Sequence, residues 1–100
     1  MPIHEITASE AQNFIRENRN DVFLLDVRTP MEYARGHLTD AINIHVQSLP
    51  SSLEKIPRDK KIVCYCLHGI RSRDAAEYLT SAGYEKVYHI RGGMKAMGMT

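Results

Sequence analysis

The sequence predicts an α/β domain whose central, mostly parallel sheet has five strands and carries helices on both faces. Short apolar runs alternate with segments whose apolar residues recur at helical spacing, and this alternation is typical of a parallel sheet covered by helices. The run at residues 22–27 is almost continuously apolar, as in a strand that is buried on both faces. The length of 100 residues fits one domain, residues 1–100.

Five short runs form the predicted strands, at residues 3–6, 22–27, 41–44, 62–65 and 86–90. The first run alternates in polarity, as an edge strand does, and Thr7 or Ser9 after it can cap a helix. Thr29 and Pro30 are typical of the start of a second, short helix.

The rest of the chain contains one regular helix and two less regular segments. Residues 45–58 are predicted to form one or two helical turns, and a long helix from residue 74 is expected to end at Gly83. After the last strand, residues 91–99 are expected to turn into a short helical tail.

Composition and charge exclude several classes of function. A net charge of +1 and the absence of Trp give no general attraction to nucleic acid or to a membrane surface. The sequence has no apolar run of ~20 residues and no basic leader, so neither a membrane span nor a signal peptide is expected. The two cysteines, Cys64 and Cys66, are poorly placed to bond each other and too few for zinc. We therefore expect a cytoplasmic protein without a metal.

Cys66 opens the loop that the sequence marks as a candidate active site. It follows the apolar run at residues 62–65 and precedes the long helix, with Gly69 and Arg71 between them. A cysteine in this position faces the backbone N–H groups of a helix amino terminus, which favour negative charge on sulfur. Gly69 can take a positive φ without steric cost, so the loop can curl around that sulfur. A cysteine nucleophile needs such an environment.

The loop and several other segments resemble the rhodanese-type sulfurtransferases. Cys66 is followed by four residues and then Arg71-Ser72, as in the active-site loop of that family. The segments 26–28, 32–33, 36–38 and 41–44 are similar to the signature of the family's first half, and Gly92-Gly93 resembles its closing segment. The resemblance implies a single rhodanese domain over residues 1–100.

By that resemblance, Cys66 is the catalytic residue and the loop binds the substrate. The predicted substrate-binding residues are Leu67, His68, Gly69, Ile70, Arg71 and Ser72. The family's chemistry moves a sulfane sulfur from thiosulfate, or a similar donor, through a cysteine persulfide to cyanide, a thiol or a protein. It needs no metal or organic cofactor.

Three other functions are compatible with the same fold. Cdc25-type phosphatases and certain arsenate reductases have five residues between cysteine and arginine, where this loop has four, so sulfur transfer is favoured. A non-catalytic interaction domain would typically lack the nucleophile. A persulfide carrier in a thiolation pathway would use the same loop, and the sequence does not separate it from an enzyme.

Several of these residues also have plainer interpretations. Cys64 is expected in the core and His68 in solvent, Ser72 can simply cap the helix, and Leu67 and Ile70 suggest an apolar rim. Asp26, Arg28, Glu32 and His37 could form an acid–base or metal site, but we expect them to belong to the scaffold, with Asp26 and Arg28 forming ion pairs and hydrogen bonds that brace the loops. Two departures from the family pattern are Asp40, where many relatives have glycine, and the methionines 94, 97 and 99, where tryptophan is common.

Overall fold

The computed structural model describes residues 3–99, and its five strands form one sheet with every pairing parallel. The strands are β1 (His4–Ile6), β2 (Val22–Asp26), β3 (Ile42–Asn43), β4 (Lys61–Tyr65) and β5 (Val87–Ile90), in the order β1-β5-β4-β2-β3. The predicted fold class is therefore confirmed, with β4 at the centre of the sheet. Residues 1, 2 and 100 of the predicted domain lie outside the described residues.

Four helices and two 3-10 helices connect and flank the strands. They are α1 (Ala8–Glu17), α2 (Pro30–Ala34), α3 (Ile70–Ser81) and α4 (Gly93–Ala96), with 3-10 helices at Val46–Ser51 and Leu53–Lys55. None of the helices in residues 3–99 has the length and apolar character that a membrane crossing requires.

Capping side chains begin α1 and α2 where the sequence predicts. Thr7 accepts a hydrogen bond from the Glu10 amide, and Glu10 in turn accepts one from the Thr7 amide. Thr29 and Glu32 form the same reciprocal pair at α2. Each pair satisfies two amides that a helix terminus otherwise leaves without partners.

The core has two layers, one on each face of the sheet. On one face, Ile62 and Cys64 of β4 pack among buried residues of α3, and on the other Val63 and Tyr65 pack with Ala11 and Met94 of α1 and α4. Cys64 has no exposed surface, and burial raises the pKa of its thiol to about 12. The prediction that Cys64 belongs to the core is confirmed.

A buried ion pair braces the carboxyl ends of β2 and β4. Arg28 binds both carboxylate oxygens of Asp26, at 2.7–3.1 Å, and donates to the carbonyl of Gly36 at 2.7 Å. The Tyr65 hydroxyl donates to Asp26 at 2.7 Å and accepts from the Leu38 amide at 3.1 Å. Because burial raises the pKa of Tyr65, the phenol keeps its proton. The expected bracing role of Asp26 and Arg28 is confirmed.

The backbone conformation of Asp40 explains why glycine is common at this position in the family. Its φ is 68°, the one positive value at a non-glycine residue within 3–99. Glycine takes this left-handed conformation at no cost, and aspartate is among the side chains that tolerate it best. The turn before β3 therefore needs a residue in the left-handed conformation, which aspartate can supply in place of glycine.

Replacing Tyr65 with phenylalanine should lower the free energy of unfolding by about 1–3 kcal/mol, because the Leu38 amide and the Asp26 carboxylate lose a buried partner. Urea denaturation measures the change. Tyr78→Phe is the matched control, since the Tyr78 hydroxyl makes no hydrogen bond within residues 3–99. An equal loss in both variants would contradict the role given to the Tyr65 hydroxyl.

Candidate active site

Cys66 lies between the central strand β4 and the amino terminus of α3, and its sulfur is enclosed by backbone amides. The amide of Gly69 is 3.1 Å from Cys66 Sγ and the amide of Ser72 is 3.3 Å from it. Gly69 has a φ of 97° and precedes the first residue of α3, so the chain curls back over the sulfur as the sequence predicts. Two N–H donors and the helix dipole thus face one atom that can carry negative charge. Only 1% of Cys66 is exposed.

The glycines of the closing segment press directly against this loop. A Cβ atom placed on Gly93 would lie 2.2 Å from the Cys66 carbonyl oxygen, and one on Gly69 would lie 2.9 Å from the Gly92 nitrogen. The amides of Met94 and Lys95 donate to the carbonyls of Cys66 and Leu67, each at 3.0 Å. Side chains are excluded from this contact, and α4 holds the loop through its backbone.

Arg71 is bound to α2. Its Nη1 and Nη2 donate to the two carboxylate oxygens of Glu32 at 2.7 and 3.0 Å. That bidentate pair, more than any other contact, lowers the pKa of Glu32 to about 2. Within residues 3–99, Arg71 Nε and the second hydrogen of each terminal nitrogen make no other hydrogen bond, and Arg71 is about one-third exposed, so these donors are available to an anion.

The remaining predicted substrate-binding residues differ in exposure. His68 and Ile70 are exposed and Leu67 is half-buried, while Ser72 is completely buried. The exposure of His68 agrees with its plainer interpretation. Ser72 contributes its amide to the sulfur and its hydroxyl to other partners, the Gly69 carbonyl and His89 Nδ1, each at 3.2 Å.

A cavity of about 200 Å³ adjoins the loop, lined by Arg28, Glu32, Arg35, Gly36 and Leu67. Its size and basic lining fit a small anion. Other clefts, lined by Ile15, Arg19 and Leu24, lie at α1 and away from the sulfur. Within residues 3–99 no cluster of three or more His, Cys, Asp or Glu side chains could hold a metal ion.

The sequence did not predict the contacts that two residues, Glu32 and His89, make at the site. Glu32 was expected to belong to the scaffold, yet it binds the loop residue Arg71, 39 positions away. His89 lies within the strand β5 and contacts Ser72 through the core. No local pattern indicates such pairings, although the opposite charges of Glu32 and Arg71 are compatible with one.

The comparisons with known proteins point to one family. The model of the family described as "Rhodanese-like domain" matches residues 7–99. A sulfurtransferase of Allochromatium vinosum is 42% identical over 76 residues, which are 76% of this chain and 71% of the relative. The thiosulfate sulfurtransferase GlpE of Tolumonas auensis is 39% identical over 74% of this chain and 70% of its own length. A rhodanese-like domain protein from Staphylococcus aureus superposes with a TM-score of 0.85 at 31% identity, covering 96% of this chain and 92% of the other.

Replacing Gly93 with alanine should slow alkylation of Cys66 by iodoacetamide about tenfold or more, because the new methyl group displaces the loop carbonyl and small displacements at a reacting centre are costly. Gly98→Ala is the control. Gly98 also has a positive φ, 78°, but nothing lies within 4 Å of its Cβ position. Equal slowing in both variants would show that backbone strain, and not contact with the loop, is responsible.

The Glu32–Arg71 pair should make stability sensitive to acid. The pKa of Glu32 is about 2 in the folded chain against an ordinary value of 4.5, so the pair stabilises the fold fully above pH 4.5 and loses this contribution as the pH falls towards 2. Glu32→Gln should therefore flatten the decline of the unfolding temperature over that interval. Glu54→Gln, at an exposed position, serves as control, and an unchanged slope in Glu32→Gln would contradict the assignment.

Proposed function

Because the chain belongs to the rhodanese-like domain family, we propose that residues 1–100 form one rhodanese domain and that Cys66 carries the transferred sulfur as a persulfide. The protein is a sulfurtransferase. One observation carries the assignment to Cys66: its sulfur lies at the carboxyl end of the central strand and accepts hydrogen bonds from two amides at the start of α3.

The proposed first step loads the cysteine. The Cys66 thiolate attacks the outer sulfur of thiosulfate, the sulfur–sulfur bond of thiosulfate breaks, and sulfite leaves with the bonding electron pair. The product is a Cys66 persulfide whose terminal sulfur carries the negative charge. Preorganised amides lower the energy of such an anion because they need not reorient when it forms.

In the second step the persulfide gives its terminal sulfur to an acceptor. A nucleophile such as cyanide, a thiol or a cysteine of another protein attacks that sulfur, and the Cys66 thiolate leaves. The first half-reaction converts the thiolate into the persulfide and the second converts the persulfide back into the thiolate. The kinetics should therefore be ping-pong. The same two steps describe a free enzyme and a persulfide carrier in a thiolation pathway, and they require no metal or organic cofactor.

Thiosulfate as donor is supported by the chemistry of the cavity and by the name of the Tolumonas relative. Arg28, Arg35 and the loop residue Leu67 line a space beside the loop that suits a small anion. The enclosure of Cys66 favours a donor whose reacting atom is a single projecting sulfur. Both cysteines are free, which suits the proposed location in a reducing cytoplasm.

Replacing Cys66 with serine should abolish both sulfur loading and thiocyanate formation from thiosulfate and cyanide. Mass spectrometry of the intact protein after thiosulfate treatment should show an added mass of one sulfur atom on the wild type and none on this variant, because an alcohol does not form the persulfide.

Cys64→Ala is the matched control for this test. Alanine is preferred to serine at position 64 because the site is completely buried and a hydroxyl there would need a hydrogen-bond partner. Thiosulfate loading and thiocyanate formation should both persist in Cys64→Ala. Loss of both activities in a folded Cys64→Ala protein, or a sulfur adduct on Cys66→Ser, would overturn the assignment of Cys66.

A further inference from the structure

A chain of hydrogen bonds connects the sulfur of Cys66 to the edge strand β1. The Ser72 amide donates to Cys66 Sγ, and the Ser72 hydroxyl lies 3.2 Å from His89 Nδ1. The other ring nitrogen, His89 Nε2, lies 3.1 Å from Glu5 Oε2, and Glu5 Oε1 accepts from Arg91 at 3.2 Å. Only 3% of His89 is exposed, so these contacts are the partners of a buried imidazole.

The sheet register puts these side chains on one face. Glu5 pairs with His89 across β1 and β5, and Cys64 pairs with His89 across β4 and β5. Residues opposite each other on parallel strands point to the same side, here towards α3 and Ser72. A cavity of about 200 Å³, lined by Ile3, Glu5, Arg73 and His89, opens beside the imidazole and gives protons a route that does not pass the sulfur.

The Ser72 hydroxyl has one proton and two acceptors within reach. The Gly69 carbonyl can only accept, whereas His89 Nδ1 accepts in the neutral ring and donates in the imidazolium. With neutral His89, Nε2–H donates to Glu5 and the Ser72 proton goes to Nδ1. With charged His89, Nδ1–H donates to the Ser72 oxygen and the Ser72 proton turns to the Gly69 carbonyl. The charge of His89 therefore decides how Ser72 is held.

We propose that His89 and Glu5 are positioning residues for Cys66: they fix Ser72, whose amide binds the sulfur, and they link the reactivity of Cys66 to the protonation of His89. This inference deepens the proposed sulfur transfer and rests on Cys66 being its nucleophile.

The groups around His89 set the direction of this link. Burial lowers the pKa of His89, the Glu5 carboxylate opposes that effect, and Arg73 and Arg91 add to it. Cys64, which faces His89 from β4, stays neutral because burial raises the pKa of its thiol to about 12. His89 is accordingly neutral at neutral pH. As the pH falls, His89 gains a positive charge on the ring that contacts Ser72, and a positive charge near a sulfur favours the anionic, more reactive form of a thiol.

Two substitutions of His89 separate its two contacts. An asparagine amide takes the place of Nδ1 and keeps the hydrogen bond to Ser72, but it does not titrate. A glutamine amide takes the place of Nε2, reaching Glu5 and leaving Ser72 unsupported. Glu5→Gln keeps a hydrogen bond to His89 and removes the carboxylate that stabilises the imidazolium.

The test is the rate of Cys66 alkylation by iodoacetamide from about pH 5 to about pH 9, the range in which histidine titrates. The wild type should show two ionisation steps. His89→Asn should lose the lower step, and Glu5→Gln should move it to lower pH. His89→Gln should react about three- to tenfold more slowly, because Ser72, whose amide donates to the sulfur, loses its contact with position 89. His4→Asn, an exposed histidine on β1, should match the wild type.

Each result decides the inference. Profiles of His89→Asn, His89→Gln and Glu5→Gln that coincide with the wild type overturn it, as does a lower step that stays in place in Glu5→Gln. Thermal unfolding shows whether each variant folds. Because the Glu5 side chain is 35% exposed, Glu5→Gln should fold even if the His89 variants do not, and it then tests the inference by itself. Wild-type protein that takes no sulfur from thiosulfate while the profiles behave as expected refutes the proposed function and leaves the positioning role standing.

Discussion

The contact between the backbone of Gly93 and the carbonyl of Cys66 is the constraint on which the site depends. The loop after β4 has few side chains that could hold it, since Gly69 has none and His68 and Ile70 are exposed. Its carbonyls are held instead by the amides of Met94 and Lys95, which approach closely because no Cβ atom intervenes. These bonds anchor the start of the loop against α4, and the amides that donate to the sulfur, those of Gly69 and Ser72, follow further along the chain. Gly93 thus sets how closely the loop and α4 approach each other.

A second constraint comes from charges that are buried under the loops. Asp26 and Arg28 are at most 5% exposed, and an unpaired charge at that depth would be costly. The pair is satisfied by Tyr65, by the Gly36 carbonyl and by the backbone amide of Arg28 itself, so its geometry leaves little freedom. Tyr65 is the last residue of β4 and Cys66 follows it. This network therefore fixes the position at which β4 ends and the Cys66 loop begins.

The local features of the structure were predictable and the long-range pairs were not. Thr7 and Thr29 predict the starts of their helices because they are typical capping residues. Cys66 and Gly69 predict a loop around a sulfur. Each of these patterns lies within a few neighbouring residues and can be recognised in the sequence. Glu32 with Arg71 and His89 with Ser72 join residues 39 and 17 positions apart. A charged residue in such a pair looks the same in sequence as one in solvent, and a histidine within a strand looks the same whether it binds a core hydroxyl or none. Only the sheet order, which brings β5 beside β4, reveals the second pair.

These pairs change how the charge of the site should be understood. Arg71 by itself would bring positive charge to the site, but the carboxylate of Glu32 neutralises much of it. The hydrogen bonds that Cys66 Sγ accepts within residues 3–99 come from uncharged amides, and their donors, Gly69 and Ser72, lie at the start of α3. Dipoles at hydrogen-bond distance in a buried site are screened little by salt, whereas the attraction of a partly exposed arginine for a distant anion is screened strongly. In the proposed reaction, the stabilisation of sulfur charge and the capture of an anionic donor are therefore assigned to separate parts of the site: the first to the backbone around Cys66, and the second to the cavity beside Leu67 that Arg28 and Arg35 line.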